Sequence, residues 1–213
     1  MKFETWLLFG ILVSWYLENL FMKLVVGLGN PGEKYERVRH NLGFMALDGY
    51  IREKYGNPIW LSDKNLKSEV LKEEDLIFAK PQTFMNQSGL ALRVLSSVFG
   101  VGGEDIIIIH DELDLPLGKI KVRMGGAAAG HHGVESIIKA LETDKFIRVR
   151  LGIGNLKTKS GEHKAIHVSA EKFVLEPFMH SEKAQVKHVI KQAIKAIELL
   201  LDRGLKVAQN QYN

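Results

Sequence analysis

The sequence predicts a single three-layer α/β/α domain with a mixed, mostly parallel, twisted sheet and a long C-terminal helix. Short apolar runs typical of buried strands alternate with amphipathic helical patterns, an order that favours a sheet covered by helices. The chain has 213 residues, of which 46% are hydrophobic, enough to build a substantial core. Because no internal repeat or low-complexity linker divides the chain, we expect one α/β domain over residues 22–213.

Apolar runs bounded by turn residues predict strands at residues 23–26, 70–71, 76–79, 105–109, 120–122 and 146–151. Apolar residues at helical spacing predict helices at residues 42–55, 87–99, 134–141 and 182–203. Gly204 follows the last helix and is expected to form its C-terminal cap. Two loops stand out: residues 125–133, rich in glycine and alanine, and residues 152–163, polar and basic.

The N-terminus carries an apolar segment that does not fit this pattern. Residues 6–17 are almost continuously apolar, and these twelve residues are too few to span a bilayer, which needs about 20. No small-x-small signal cleavage site follows. We expect residues 1–21 to be an N-terminal extension, arising either from start-site choice or as a short interfacial segment. No stable membrane association is expected.

Charge and cysteine content narrow the function. The net charge is +4 and the isoelectric point about 9.1. Residues 118–164 hold ten lysines and arginines against four acidic residues, a local charge of +6. This excess favours a polyanionic partner, above all nucleic acid, although a solvated basic face is the alternative. The absence of cysteine excludes disulfides and thiolate chemistry and agrees with a cytoplasmic location.

Gly27, Gly29 and Gly32 follow an apolar strand and match the G-x-G-x-x-G fingerprint of dinucleotide-binding loops. That fingerprint needs a helix directly after the loop and an acidic residue about 20 positions on, at a strand end. Here Pro31 interrupts the turn, and Asp48, the nearest acid, lies within a helical pattern. The glycines are better explained as a tight loop that brings Asn30 and His40 into one pocket.

A second polar cluster follows the four isoleucines at residues 106–109. Ligands of open α/β sheets bind outside the carboxyl ends of the strands, where an acid commonly orients a histidine. Asp111 is the candidate acid, with His40 as its partner. The alternative is that Asp111 caps the loop at residues 113–118. His110, still flush with the strand, is expected to be structural.

The segment 80–89 also leaves a strand and enters a helix. Its Asn86 can cap that helix or bind a ligand. The chain has no G-x-S-x-G elbow and no cysteine nucleophile. His163 and His167 are four residues apart, but they lack an H-E-x-x-H motif and an evident acidic third ligand. We therefore expect no metal and no cofactor, and hydrolysis would use a water activated by a histidine base.

Several segments together resemble the bacterial peptidyl-tRNA hydrolase family, in the family's order, over residues 23–201. They are residues 27–32 with Tyr35, then 39–41, 80–89, 110–118, 125–133 and 148–154. The resemblance implies a catalytic domain that hydrolyses the ester between a peptide and the 3′ ribose of tRNA, releasing tRNA for reuse. It also implies a monomer whose partner is tRNA.

By the same resemblance, His40 is the general base, Asp111 supports it, and Asn30 helps to reject a free α-amino group. Asn30 and Asn86 would contact the peptide, while Tyr35 and Phe84 would line a pocket for the tRNA end. Basic residues that match or neighbour the family's phosphate-binding positions are Lys121, Arg123, Arg150 and Lys159. Such contacts give affinity without sequence choice.

The chain departs from the family pattern in three places. His132 stands where the family has an asparagine that helps to hold water or substrate, and Val38 replaces a common threonine. After Gly-Ile-Gly, Asn155-Leu156 replaces the usual basic or polar residue followed by proline. His132 is therefore expected at the substrate, and it motivates one alternative: a relative that binds RNA without efficient catalysis. A dinucleotide-binding protein is the remaining alternative.

Overall fold

The computed structural model describes residues 22–154 and 170–213. The N-terminal extension (residues 1–21), Lys159, the histidine pair at 163 and 167 and the Asn155-Leu156 departure lie outside the described residues. The strands are β1 (Lys23–Gly27), β2 (Leu61–Asp63), β3 (Ser68–Glu73), β4 (Leu76–Pro81), β5 (Ile106–Pro116), β6 (Ile120–Met124) and β7 (Ile147–Gly154).

All seven strands form one sheet in the order β2-β3-β4-β1-β5-β7-β6. The four central strands are parallel, as the pairings β4–β1, β1–β5 and β5–β7 show. The outer pairings, β2–β3, β3–β4 and β6–β7, are antiparallel. The predicted mixed sheet with a parallel centre is confirmed.

Helices cover both faces of this sheet. They are α1 (Leu42–Tyr55), α2 (Ser88–Phe99), α3 (His132–Leu141), α4 (Lys183–Arg203) and α5 (Leu205–Tyr212). One apolar cluster joins α1, α4 and α5 to one face, and a second joins α2 and α3 to the other, which confirms the three-layer architecture. None of the helices in the described parts of the chain is both long and apolar enough to cross a bilayer.

Sequence patterns located most elements but misjudged some boundaries. The strand β5 runs to Pro116, because it pairs with β7 beyond the isoleucines, whereas the pattern placed its end at residue 109. The three-residue edge strand β2 and the short helix α5 were not predicted. Gly204 does terminate α4, with φ +79° and its N–H donated to the Leu200 carbonyl.

Close contact between α1 and the strand ends places the turn that carries His40, here called the His40 turn. The N-terminus of α1 lies so near β1 that a Cβ on Gly27 would come within 2.6 Å of the Gly43 carbonyl oxygen. A Cβ on Gly43 would in turn collide with the Ile109 carbonyl oxygen. Both positions therefore require glycine. The 3₁₀ helix Arg39–Asn41 immediately precedes α1 and is held over the edge where β1 ends.

Candidate active site at the carboxyl edge of the sheet

His40 and Asp111 form a buried pair at this edge. β1 ends at Gly27, opposite Ile109, whereas β5 continues, so Asp111 lies beyond the end of its neighbouring strand. His40 Nδ1 lies 2.9 and 3.0 Å from the two carboxylate oxygens of Asp111. The exposed fractions are 8% for His40 and 2% for Asp111. The structure thus brings together the two residues that the sequence predicted as partners.

A second histidine, which sequence reasoning missed as a site residue, contacts the same carboxylate. His131 Nε2 lies 3.0 Å from Asp111 Oδ1. His131 is the N-cap of α3, and its Nδ1 accepts a hydrogen bond of 3.2 Å from the Val134 N–H. Because Nδ1 accepts the Val134 N–H, the donating ring proton sits on Nε2, so His131 donates to Asp111. In the sequence, His131 lies between a glycine-rich loop and a helical pattern, and this position could have identified it as an N-cap.

Asp111 in turn fixes the proton of His40. The carboxylate is ionised and accepts the Nδ1–H, which leaves His40 Nε2 without a proton and without a partner among the described residues. Burial raises the pKa of Asp111, but the charges and hydrogen bonds of His40 and His131 outweigh it and hold the pKa far below its usual range. Burial lowers the pKa of His40, while the charge and hydrogen bond of Asp111 raise it by more. The net result is a more basic imidazole.

The spacing of three side chains here would allow a metal ion to bind. His40, Asp111 and His131 each offer one ligand atom, and these atoms lie within 4.8 Å of one another. A metal would have to displace the proton of His131 Nε2, which the Val134 N–H bond keeps in place. The hydrogen bonds therefore favour a protonated cluster over a metal centre, and the expectation of no metal stays a prediction.

His110 supports the site from beneath, in keeping with its predicted structural role. It is 1% exposed, and its Nδ1–H donates to the Asp111 backbone carbonyl over 2.7 Å. Its ring meets the His131 ring edge to face, with centroids 4.7 Å apart. Burial, reinforced by His131, lowers the pKa of His110 well below its ordinary value, so the ring stays neutral.

A pocket of about 480 Å³ opens over this cluster. Its described lining holds carboxylates, histidines and small or apolar residues, but no serine, threonine or cysteine: His40, Asp111, Glu112, Leu113, Asp114, Ala129, Gly130, His131, His132, Ala170, Glu171 and Val174. His132 is half exposed at the rim, 3.7 Å from a Glu135 oxygen and 3.8 Å from a Glu171 oxygen. The site therefore lacks a protein nucleophile of these types in its described wall.

The predicted asparagines lie in neighbouring cavities. Asn86 is exposed in the 3₁₀ helix Met85–Gln87 and lines a second pocket of about 470 Å³, which shares His132 with the first. Asn30 lines a third, and its Oδ1 accepts the Met85 N–H at 2.8 Å. Asn41 fixes the Asn30 backbone by accepting its N–H and donating to its carbonyl, each at 2.9 Å. His132 is thus the predicted residue that joins two pockets.

Tyr35 and Phe84 form an edge-to-face aromatic pair with centroids 6.4 Å apart. Phe84 is 54% exposed, although it is large and apolar. Neither ring is among the described residues that line the pocket over His40 and Asp111. Their predicted role at a tRNA end remains a prediction, and the exposed phenyl ring is available for stacking.

Basic residues line one face of the β6–β7 hairpin. The register pairs Lys121 with Arg150 and Arg123 with Arg148, so the four side chains share a face. Lys121 is exposed and Arg123 partly so. Arg150 donates from Nε to Glu112 at 2.9 Å and its side chain is 16% exposed. Of the predicted phosphate contacts that the structure describes, Lys121 and Arg123 are the more accessible.

Arg148, which the sequence analysis did not assign to the site, anchors the loop that carries His131. Its guanidinium donates to the carbonyls of Gly126 and Ala127. Burial, together with the charges of Arg123 and Arg150, lowers the pKa of Arg148 to about 10. The Gly126 N–H donates to Asp144 at 2.7 Å from the other side. These contacts fix the loop from which His131 reaches Asp111.

A histidine–aspartate pair facing a pocket at the carboxyl edge of a central parallel sheet defines the class: an α/β enzyme with a histidine as its candidate general base. A family profile described as peptidyl-tRNA hydrolase matches residues 24–213. The chain belongs to the peptidyl-tRNA hydrolase family.

Individual relatives are similar over most of their length. A peptidyl-tRNA hydrolase of Nocardia farcinica is 40% identical over 191 residues, covering 88% of this chain and 94% of that protein. One from Thermodesulfovibrio yellowstonii is 39% identical over 197 residues, covering 90% and 99%. The crystal structure of peptidyl-tRNA hydrolase from Acinetobacter baumannii matches with a TM-score of 0.77 at 30% identity, covering 92% and 95%.

Proposed function

We propose that this chain hydrolyses the ester bond between a peptide and the 3′ ribose of tRNA, in the cytoplasm and as a monomer. Its substrate is peptidyl-tRNA or N-blocked aminoacyl-tRNA, and its product is free tRNA. The observation that carries the proposal is the Asp111 carboxylate, which holds the proton of His40 on Nδ1 and leaves Nε2 as a base toward the pocket.

The reaction needs no covalent enzyme intermediate. His40 Nε2 takes a proton from water as the water oxygen attacks the ester carbonyl carbon, and Asp111 stabilises the imidazolium. The tetrahedral intermediate then collapses, the bond from carbon to the ribose oxygen breaks, and His40 returns its proton to that oxygen. The products are a peptide carboxylic acid and tRNA with a free 3′ ribose hydroxyl.

The other predicted residues bind the two halves of the substrate. Asn30, Asn86 and His132 hold the peptide, with His132 at the rim shared by two pockets. Tyr35 and Phe84 contact the tRNA end. Phosphates lie along the basic face of the hairpin, principally on Lys121 and Arg123, with Arg150 adding charge. Lys159, outside the described residues, is a further phosphate contact. Phosphate contacts carry no sequence information, which suits an enzyme that accepts every tRNA.

Turnover of N-blocked aminoacyl-tRNA tests the proposal. The wild type is expected to release tRNA rapidly and His40→Ala to lose that activity, while His188→Ala, which changes an exposed histidine on α4, retains it. In water enriched in ¹⁸O, the label is expected in the released carboxylate and not in the tRNA. A wild type that binds tRNA without turnover would favour the RNA-binding alternative.

A further inference from the structure

Residues 170–182, here called the wall segment, form one side of the catalytic pocket. Ala170, Glu171 and Val174 line the pocket directly. No residue of the wall segment is fully buried. It packs on the apolar core through Phe173, Val174 and Phe178, each only partly buried. A segment with so few buried contacts belongs to the parts of a fold that open locally at low free-energy cost.

Arg39 supplies the buried ionic contact of this segment. Its side chain is 2% exposed, and its two terminal nitrogens donate to the two carboxylate oxygens of Glu182 at 3.0 and 2.7 Å. The guanidinium carbon lies 4.3 Å from the ring centroid of Phe173 and 4.9 Å from that of Phe178. A forked ion pair enclosed by two aromatic rings combines charge-assisted hydrogen bonds with cation–π attraction.

Backbone contacts extend the attachment along the segment. The Arg39 N–H donates to the Glu176 carbonyl at 3.1 Å, and the preceding residue, Val38, forms an antiparallel bridge with Pro177. Glu182 also accepts the Met179 N–H at 2.7 Å, which holds its carboxylate toward Arg39. Arg39 therefore contacts the middle and the end of the wall segment from the 3₁₀ helix that also carries His40.

We propose that Arg39 is a positioning residue that holds the wall segment against the 3₁₀ helix Arg39–Asn41 and so sets the width of the substrate pocket. The inference rests on the proposed function for its kinetic readout. Arg39 acts on substrate affinity and not on the base, because Asp111 orients His40 and the carboxylate that Arg39 binds belongs to the wall.

Two single variants separate this role from a general contribution to folding. Arg39→Lys keeps the charge but loses the planar fork and the stacking between Phe173 and Phe178. Glu182→Gln keeps the shape but removes the counter-charge from a side chain that is 13% exposed in the wall segment, so the two variants perturb the contact from opposite sides. The control is Lys54→Gln, which breaks an ion pair of 3.0 Å between Lys54 and Glu198, remote from the pocket.

Kinetics with N-blocked aminoacyl-tRNA provide the first measurement. If the closed wall falls to roughly a tenth of the population, the apparent affinity falls in proportion, so KM rises about tenfold. The kcat value and the midpoint of its pH profile are expected to stay near those of the wild type. An unchanged KM in folded variants, or a lower kcat with a shifted pH profile, would overturn the proposal.

Hydrogen exchange provides the second measurement and requires no turnover, so it tests the contact even if the proposed reaction were wrong. Amides of residues 170–182 are expected to exchange faster in Arg39→Lys and Glu182→Gln, while the rest of the domain and the Lys54→Gln control exchange as in the wild type. Uniformly faster exchange across the domain, with no excess in the wall segment, would reduce Arg39 to a stabiliser of the fold and overturn the proposal.

Discussion

Replacing Asp111 with asparagine is expected to move the ring proton of His40 from Nδ1 to Nε2. The new amide offers one oxygen and one NH₂ group where the carboxylate offered two acceptors. His131 must donate from Nε2, because the Val134 N–H occupies its Nδ1, so the amide oxygen turns toward His131. That oxygen position is also 2.9 Å from His40 Nδ1, but the NH₂ group takes the other position, 3.0 Å from Nδ1, where its hydrogens oppose the Nδ1–H. His40 is driven to the tautomer with its proton on Nε2, which cannot accept a proton from water.

The size of the loss follows from the tautomer. A wrongly protonated catalytic histidine costs about 10³- to 10⁴-fold in kcat, or about 4–6 kcal/mol of transition-state stabilisation. The assay is single-turnover release of tRNA from N-blocked aminoacyl-tRNA, which reports the chemical step. The structure also predicts a rescue. In Asp111→Asn combined with His131→Ala, the amide is no longer held by His131 and is free to rotate until its oxygen alone faces His40 Nδ1, which restores the base tautomer.

This double variant is expected to be at least about tenfold faster than Asp111→Asn alone, a part of the contribution that general-base catalysis makes. The matched control is His131→Ala alone, which leaves the His40–Asp111 pair intact and is expected to be only slightly slower than the wild type. Two results would refute the reasoning: Asp111→Asn that keeps more than a tenth of the activity, or a double variant no faster than the single one.

Three further predictions concern pH, salt and the family departure. Asp111 raises the pKa of His40, and the base must be neutral to act. At subsaturating substrate, kcat/KM is therefore expected to rise with pH to a plateau, with a midpoint above 6.5. A midpoint below 6.5 would contradict this prediction. Raising the salt concentration is expected to raise KM more than it lowers kcat. Lys121→Gln is expected to reduce the slope of log affinity against log salt by about 0.9. The control, Lys191→Gln on the opposite side of the domain, should leave this slope unchanged. His132→Asn restores the family amide and is expected to raise kcat/KM threefold to tenfold, the worth of about one hydrogen bond, and a lower kcat/KM would show that the imidazole is the better group here.

Part of the site could be predicted because it depends on local order along the chain. Four isoleucines mark a buried strand, and the acid beyond it must lie at the sheet edge, so Asp111 and its partner His40 follow from periodicity and topology. His131 could not be predicted in this way. Its contact with Asp111 depends on the path of the loop at residues 125–131, which Arg148 and Asp144 fix from the adjacent strand and the turn before it.

Elements with little local signal were missed for a related reason. The short helix α5 is placed by long-range contacts: Asn213, just after it, accepts the Val122 N–H at 3.0 Å and donates to the Val122 carbonyl at 2.8 Å. These two hydrogen bonds satisfy backbone groups of the edge strand β6, although Asn213 and Val122 are 91 positions apart in the sequence. Likewise, Arg150 could be recognised as basic, but its ion pair with Glu112 depends on the register between β7 and β5.

The glycine-rich loop shows why a motif must be judged by where its amides point. A dinucleotide-binding loop presents free N–H groups and a helix N-terminus to a pyrophosphate. In this chain the Leu28 N–H donates to Ile109, the Asn30 N–H to the Asn41 side chain, and the Phe44 N–H to Leu28, at 2.9 to 3.1 Å. These amides are already satisfied by the protein. The glycines instead allow α1 to approach the strand ends, and that approach brings His40 to Asp111.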